Sequence, residues 1–224
     1  MRTLITREDP EPLRSSLEKL GISCIHIPLV TLHPTHERHP SVKPDWVLVT
    51  SAAVARFVPD LTQYIGQASV VAVGQQTAES LVKLGANVAD VGQAGGVDAL
   101  NRVPEDRLKR CWYVGAKVPS AGLGNALNDR GVLRWSVYEN RMPDFVPEAL
   151  AEAAFDSVSF ASGSAVQAFV CAVGLPAVPV AVLGPATADV AHSLGVRVDR
   201  VARQRTLASL AKAVAELPCH SVRK

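Results

Sequence analysis

Tyr138, a set of serines and threonines standing beside glycines, and two neighbouring cations are the side chains whose types and spacing suit chemistry in this sequence. The hydroxyl-rich positions are Thr6, Thr50-Ser51, Gly74 with Thr77, Gly115, Ser162-Gly163-Ser164, and Gly184 with Thr187. A helix N-terminus with free backbone N–H groups, a hydroxyl beside it and a glycine that lets a ligand approach binds anions. Several such turns suit a ligand carrying many carboxylates or phosphates. Serine, threonine and glycine are also the ordinary capping and turn residues, so each turn taken alone reads equally as a cap. Tyr138 closes an expected strand, Arg134 to Tyr138, where a phenol can donate a hydrogen bond or act as general acid. The competing reading is a tyrosine packed across a connection between lobes.

Other site chemistry is poorly supported. No Gly-x-Gly-x-x-Gly follows a strand and no Gly-x-x-x-x-Gly-Lys-Ser/Thr is present, which lowers the oxidoreductase and nucleotide-hydrolysis readings. Ser162 lacks a glycine-flanked nucleophile elbow, and no histidine or aspartate is placed by motif to activate it. His33, His36 and His39 share a three-residue spacing, but Pro34 and Pro40 break a helix there and no cysteine or carboxylate pattern completes a metal site. A solvated linker without metal is expected.

The elements that must position these residues come from a duplication. Asp45-Trp46-Val47-Leu48-Val49-Thr50-Ser51 is echoed by Asp156-Ser157-Val158-Ser159-Phe160-Ala161-Ser162, at an offset of 111. Gly74, Thr77 and Gly85 return as Gly184, Thr187 and Gly195, each 110 along. Arg7, Leu13, Leu17 and Gly21 return at the same offset as Lys117, Leu123, Leu127 and Gly131. Tyr138 stands seven residues after Gly131, where the other copy has Pro28 seven after Gly21, so the spacing is kept and the residue type is not. Each unit alternates strand and helix. Trp46 to Val49 and Val70 to Val73 are expected strands, Ala52 to Leu61 and Thr77 to Leu84 expected helices, with Gly85 as C-cap. The same order recurs from Leu4, Cys111, Val158 and Val180. Such alternation predicts parallel sheets, hence an α/β protein of two similar lobes. The segments Thr31 to Pro44 and Glu139 to Pro147 read as polar linkers. The repeat by itself also permits two consecutive lobes divided near residue 105.

Composition narrows the function classes. Of 224 residues, 48% are hydrophobic and 20% charged, enough for real cores. With 23 Lys plus Arg against 21 Asp plus Glu, and 5% aromatic residues, the chain has neither the basic stripe nor the stacking platform of a nucleic-acid binder. Met1 to Arg7 reads as a first strand rather than a secretory signal. The four cysteines are widely spaced, which fits a reducing cytoplasm. Ser157 to Ala188 carries no charge, yet its glycines and prolines argue for strand, helix and strand instead of a membrane span.

Taken in order, Ile5-Thr6-Arg7, Thr50-Ser51 with Ala53-Val54, Val73-Gly74-Gln75-Gln76-Thr77-Ala78, Val137-Tyr138, Ser162-Gly163-Ser164-Ala165-Val166 and Leu183-Gly184-Pro185-Ala186-Thr187-Ala188 resemble the uroporphyrinogen-III synthase family, over essentially the whole chain. The resemblance implies two α/β lobes, each a parallel sheet flanked by helices, joined by a two-stranded connection with the active site in the cleft. One lobe would hold residues 1–33 and 146–224, the other 34–145. It implies a cofactor-independent cyclising lyase. The substrate would be hydroxymethylbilane, a linear tetrapyrrole with eight carboxylates, closed with inversion of ring D. Tyr138 would be the catalytic residue. Arg7, Thr50, Ser51, Ala52, Gly74, Thr77, Gly115, Lys117, Ser162, Gly163, Ser164, Gly184, Pro185, Ala186 and Thr187 would form the substrate-binding set, with no metal, no nucleic acid, no membrane and a monomeric, cytoplasmic protein. Some relatives carry two threonines after Gly-Pro; here the pair is Ala186-Thr187, which leaves position 186 only its backbone N–H. A non-catalytic, two-lobed polycarboxylate sensor is the rival reading, and a duplicated glycosyltransferase-like enzyme a weaker third.

Overall fold

The computed structural model describes residues 1–218, so Cys219 lies outside the described residues. In chain order the first elements are β1 (Arg2–Ile5), α1 (Leu13–Glu18), β2 (Ser23–His26), β3 (Thr31–Pro34), β4 (Trp46–Val49), α2 (Ala53–Phe57) and α3 (Leu61–Ile65). They are followed by β5 (Ser69–Val73), α4 (Gln75–Lys83), β6 (Val88–Gly92), α5 (Gly96–Leu100), β7 (Cys111–Ala116), α6 (Ala121–Asp129) and β8 (Leu133–Arg141). The last are α7 (Val146–Glu152), β9 (Ser157–Phe160), α8 (Gly163–Val173), β10 (Val180–Val182), α9 (Pro185–Ser193), β11 (Arg200–Val201) and α10 (Leu207–Ala215). No helix among the described residues is long and apolar enough to cross a membrane, and the uncharged stretch from Ser157 supplies β9, α8 and β10.

Two compact units result, one of Met1–Thr31 with the chain from Arg141 onward, the other of Leu32–Asn140. The first holds the sheet β11-β10-β9-β1-β2, the second the sheet β3-β8-β7-β4-β5-β6. Shifted by the repeat offset, β4, β5, β6, β7 and β8 fall on β9, β10, β11, β1 and β2, and the two sheets then have the same strand order. The chain therefore carries a permuted duplication: the first unit is built from both ends of the sequence, the second from its middle. The chain crosses between units within β3 and β8, neighbours at the edge of the second sheet.

Pairing is parallel among β1, β2, β9, β10 and β11, and among β4 to β8. Alternate residues of each strand face opposite helical layers, which is why the strands read as continuous apolar runs. Val47, Val49, Val70, Ala72, Trp112 and Val114 pack on α2 to α4, while Leu48, Val71, Cys111 and Tyr113 pack with Leu100 and Leu123 of α5 and α6. In the first unit Leu4, Val158, Phe160, Val180 and Val182 meet α7 to α9, and Ile5 and Ala181 meet α1 and α10.

Four helices end in the same way. Gly21, Gly85, Gly131 and Gly195 all have φ between 65 and 80°, and each closes a Schellman turn. After α4, for instance, Gly85 N–H donates to Val82 O and Ala86 N–H to Leu81 O. Their spacing is the skeleton of the repeat.

Three local expectations are corrected. Ala52 to Leu61 is not one helix: Pro59 has no N–H to donate, and Val58 before it is driven to φ −134°, so α2 and α3 are separate. Tyr138 does not close its strand, because β8 runs on to Arg141. The expected linkers are not solvated spacers. The first includes β3 and a strap held by Trp135 Nε1–H donating to Glu37 O at 3.0 Å and Trp112 Nε1–H to Val42 O at 2.9 Å. His39 stacks on Trp112 with ring centroids 5.7 Å apart. The second includes the end of β8 and the start of α7.

Glycine positions should respond in a set order. Gly85→Ala meets no atom within 4 Å and costs only the left-handed conformation, about 1 kcal/mol. Gly92→Ala places a Cβ 2.6 Å from Ala99 Cβ and 2.8 Å from its Cα, so α5 must move, at about 1–3 kcal/mol. Denaturant midpoints of the two variants should rank accordingly, with Gly92→Ala the less stable.

Candidate active site

Strand direction decides where the motif residues gather. In each sheet the carboxyl ends lie along one edge, so Thr6-Arg7, Ser162 and Gly184 share an edge in the first unit. Thr50-Ser51, Gly74 and Lys117 share one in the second. Strand order reverses between β1 and β9, and between β4 and β7. Open parallel sheets bind ligands at such switch points. Arg7 and Ser162 flank the first, Ser51 and Lys117 the second. A groove of about 690 Å³ lined by Arg2, Asp156, Phe169, Val173 and Leu175 lies instead at the amino ends of β1 and β9, away from these residues.

The turns differ in what their side chains already do. Ser162 caps α8, accepting from Ala165 N–H at 3.3 Å, and its Oγ lies 3.0 Å from that of Ser164. Gly163 lets α8 approach α9, since a Cβ there would stand 2.8 Å from Val190 Cγ2. By contrast α4 and α9 begin at Gly74 and Gly184 with no side-chain cap. Gly74 has φ +77°, a left-handed conformation open chiefly to glycine. Pro185 and Ala186 occupy the first two positions of α9, and Thr77 and Thr187 are buried at the third position of their helices.

Tyr138 is oriented by an irregularity. Gly115 pairs with Ser136 but Ala116 pairs with Tyr138, so β8 carries one extra residue. Strict alternation would send Tyr138 to the face opposite Val137; the bulge brings it into the same core as Trp135 and Val137. Its ring stacks on Phe57 with centroids 5.5 Å apart, and its hydroxyl hydrogen-bonds with Ser51. Ser51 Oγ also accepts from Ala53 N–H at 3.2 Å, and Ala52 is the N-cap of the short α2. Thr50 hydrogen-bonds with Tyr113, whose hydroxyl donates to Ala116 O at 3.2 Å. Gly115 makes room for that ring: a Cβ would lie 2.6 Å from the Tyr113 hydroxyl.

The cations divide. Lys117 Nζ pairs with Glu139 at 3.4 Å and its N–H donates to Tyr138 O at 2.8 Å. Arg7 Nη1 is buried with no hydrogen-bond partner. Burial pulls its pKa below the ordinary value, opposed by Asp9, and the guanidinium stays charged. The sequence marked Arg7 as a nearby charge only; its buried, unengaged nitrogen emerges from the packing.

Burial pushes the Tyr138 phenol above its ordinary value, opposed by the bond with Ser51. Burial pushes Tyr113 up to about 12, opposed by Thr50 and raised further by Tyr138. Both groups are therefore neutral O–H donors at neutral pH. Folding favours the protonated phenols, so their contribution is complete below pH 10 and is lost above it, for Tyr113 as the pH rises from 10 towards 12. Denaturant melts should show stability falling across that window, and Tyr113→Phe should flatten the fall.

A family model described as uroporphyrinogen-III synthase HemD matches residues 11–212. No curated protein matches the sequence significantly. Among solved structures, a mutant uroporphyrinogen III synthase from the extremely thermophilic bacterium Thermus thermophilus is 20% identical, with a TM-score of 0.64 over 95% of this chain and 96% of that one. Uroporphyrinogen-III synthetase from Helicobacter pylori is 14% identical, with a TM-score of 0.65 over 95% of this chain and 97% of that one. At these identities the structures establish the shared fold.

Proposed function

The chain belongs to the uroporphyrinogen-III synthase family, and from that premise we propose how its residues divide the reaction. The activity is a cyclising lyase step of porphyrin and haem biosynthesis: hydroxymethylbilane loses water and closes with ring D inverted. The family match across residues 11–212 is the observation that carries this reading.

The terminal hydroxyl takes a proton from solvent and leaves as water, with electrons pushed from its pyrrole, giving an azafulvene cation; an equivalent proton is released from the free carbon of ring D on final closure. Ring D is attacked at its substituted carbon, and the spiro intermediate reopens and recloses as the inverted macrocycle. Tyr138 assists the first step by donating to the departing oxygen. Its burial and its bond with Ser51 support this role, since a phenol with a raised pKa is held as O–H and aimed. Such a group is a weak acid, so its help is a hydrogen bond more than a full proton transfer.

The rest of the work is orientation of a flexible chain. We assign carboxylate recognition first to the uncapped turns at Gly74 and Thr77 and at Gly184, Pro185, Ala186 and Thr187. Their first-turn N–H groups have no side-chain acceptor, which supports that order. Arg7 contributes a guanidinium whose buried nitrogen lacks an acceptor. Thr50, Ser51, Ala52, Gly115, Lys117, Ser162, Gly163 and Ser164 shape the surrounding turns. Several already hold internal contacts, so the substrate meets them as positioned backbone. The two units, residues 1–31 with the chain from 141 and residues 32–140, a few residues from the expected bounds of 33/34 and 145/146, act as one lobe each, in a monomeric, cytoplasmic enzyme. The free thiols of Cys24, Cys111 and Cys171 support a reducing compartment.

Turnover of hydroxymethylbilane with isomer analysis tests the whole. Wild type should give the inverted type III macrocycle; only the type I isomer, the product of spontaneous closure, would sink the assignment. Tyr138→Phe removes a hydrogen bond of about 1.5 kcal/mol, so kcat should fall roughly tenfold with the type III product retained. An unchanged rate would remove Tyr138 from the chemistry.

A further inference from the structure

Four arginines surround β11. Arg197 Nε lies 3.0 Å from Asp199, Arg200 Nε 3.9 Å from Glu216, and Arg203 Nη2 3.6 Å from Glu216. The fourth, Arg205, is exposed and has no acidic partner among the described residues. Its stem lies along Gly184: Cγ, Cδ and Nε are 3.4, 3.8 and 3.9 Å from the point a Cβ on that glycine would occupy. Gly184 is the N-cap of the nine-residue α9, which has no side-chain cap and whose first residue, Pro185, brings no N–H. A guanidinium thus stands beside the first turn of that helix, where Thr187 and Ala188 N–H return to Gly184 O at 3.0 and 3.1 Å and no side chain supplies an acceptor.

The loop that carries Arg205 is fixed on both sides. Gln204 N–H donates to Ser209 Oγ at 3.0 Å, and Thr206 caps α10 by accepting from Ser209 N–H at 3.2 Å. The side chain therefore departs from an anchored backbone, so little order remains to be gained on binding. The same edge of the same sheet ends, three strands along from β11, in Arg7 with its buried and unengaged Nη1. Two cations bracket the Ser162 and Gly184 turns: Arg7, whose Nη1 has no hydrogen-bond partner, and the exposed Arg205.

We propose that Arg205 is a specificity-determining residue that binds one side-chain carboxylate of the tetrapyrrole at the start of α9. This rests on the reading of the Gly184 turn as part of the substrate site. The planar fork of arginine fits a carboxylate with two parallel N–H bonds, which a lysine does not reproduce.

The test uses the full chain and uroporphyrin, the oxidised octacarboxylate macrocycle, as a binding probe alongside turnover. Arg205→Ala should weaken uroporphyrin binding and raise the KM for hydroxymethylbilane about tenfold, the value of one charge-assisted contact. Its kcat should stay within about twofold. Arg205→Lys should restore only part of the loss. Arg203→Ala, a change in the same loop whose partner is Glu216, should match wild type. Equal uroporphyrin affinity in Arg205→Ala and wild type overturns the proposal, as does an equal loss in Arg203→Ala. Uroporphyrin binding that depends on Arg205, in a protein yielding only the type I isomer, would uphold the carboxylate contact and reject the synthase assignment.

Discussion

A helix leaves its first backbone N–H groups without intrahelical partners, and a parallel sheet collects those groups along one edge. Much in these two units follows from how each helix meets that requirement. Ser162 and Thr206 supply oxygens to α8 and α10, whereas α4 and α9 begin at glycine with no such acceptor. The latter two are related by the repeat, so each unit carries this uncapped glycine start at the equivalent turn. A donor exposed at the carboxyl ends of the strands is stable in water and stronger once a carboxylate displaces that water. The near balance of 23 cations against 21 anions is then compatible with an octacarboxylate substrate. On the proposed assignment, neutral donors carry most of the recognition, and a few guanidinium groups add direction.

The duplication and the sheets were legible because they are written in residues that only one conformation tolerates. Gly21, Gly85, Gly131 and Gly195 each terminate a helix with φ near +70°, and their spacing preserves the repeat after most side chains have diverged. The strands were legible as uncharged β-branched runs because both faces are covered. The uncapped turns at Gly74 and Gly184 were visible as motifs, but their distinction from the self-capped turn at Ser162 was not. All three have the same residue types, and only geometry shows which oxygens are already engaged.

Other features depend on contacts far apart in sequence. His39 sits in a polar, proline-flanked segment, and only the rings of Tyr64, Trp112 and Trp135 around it turn that segment into a fixed strap. Pro59 was in plain view, yet the apolar spacing around it outweighed its missing N–H in the reading of one long helix. Arg205 belongs to no repeat and no motif. Its place beside Gly184 arises because β11 pairs with β10, which sets the two following loops side by side.

The extra residue in β8 carries a consequence for how this site tolerates change. A strand has a period of two, so the direction of the Tyr138 phenol is encoded in the number of residues between Ser136 and Tyr138, and in no particular side chain. Substitution at Val137 would leave that direction intact, whereas loss of a single residue there would rotate the phenol to the opposite helical layer. The site is thus robust to changes of letter and fragile to changes of length.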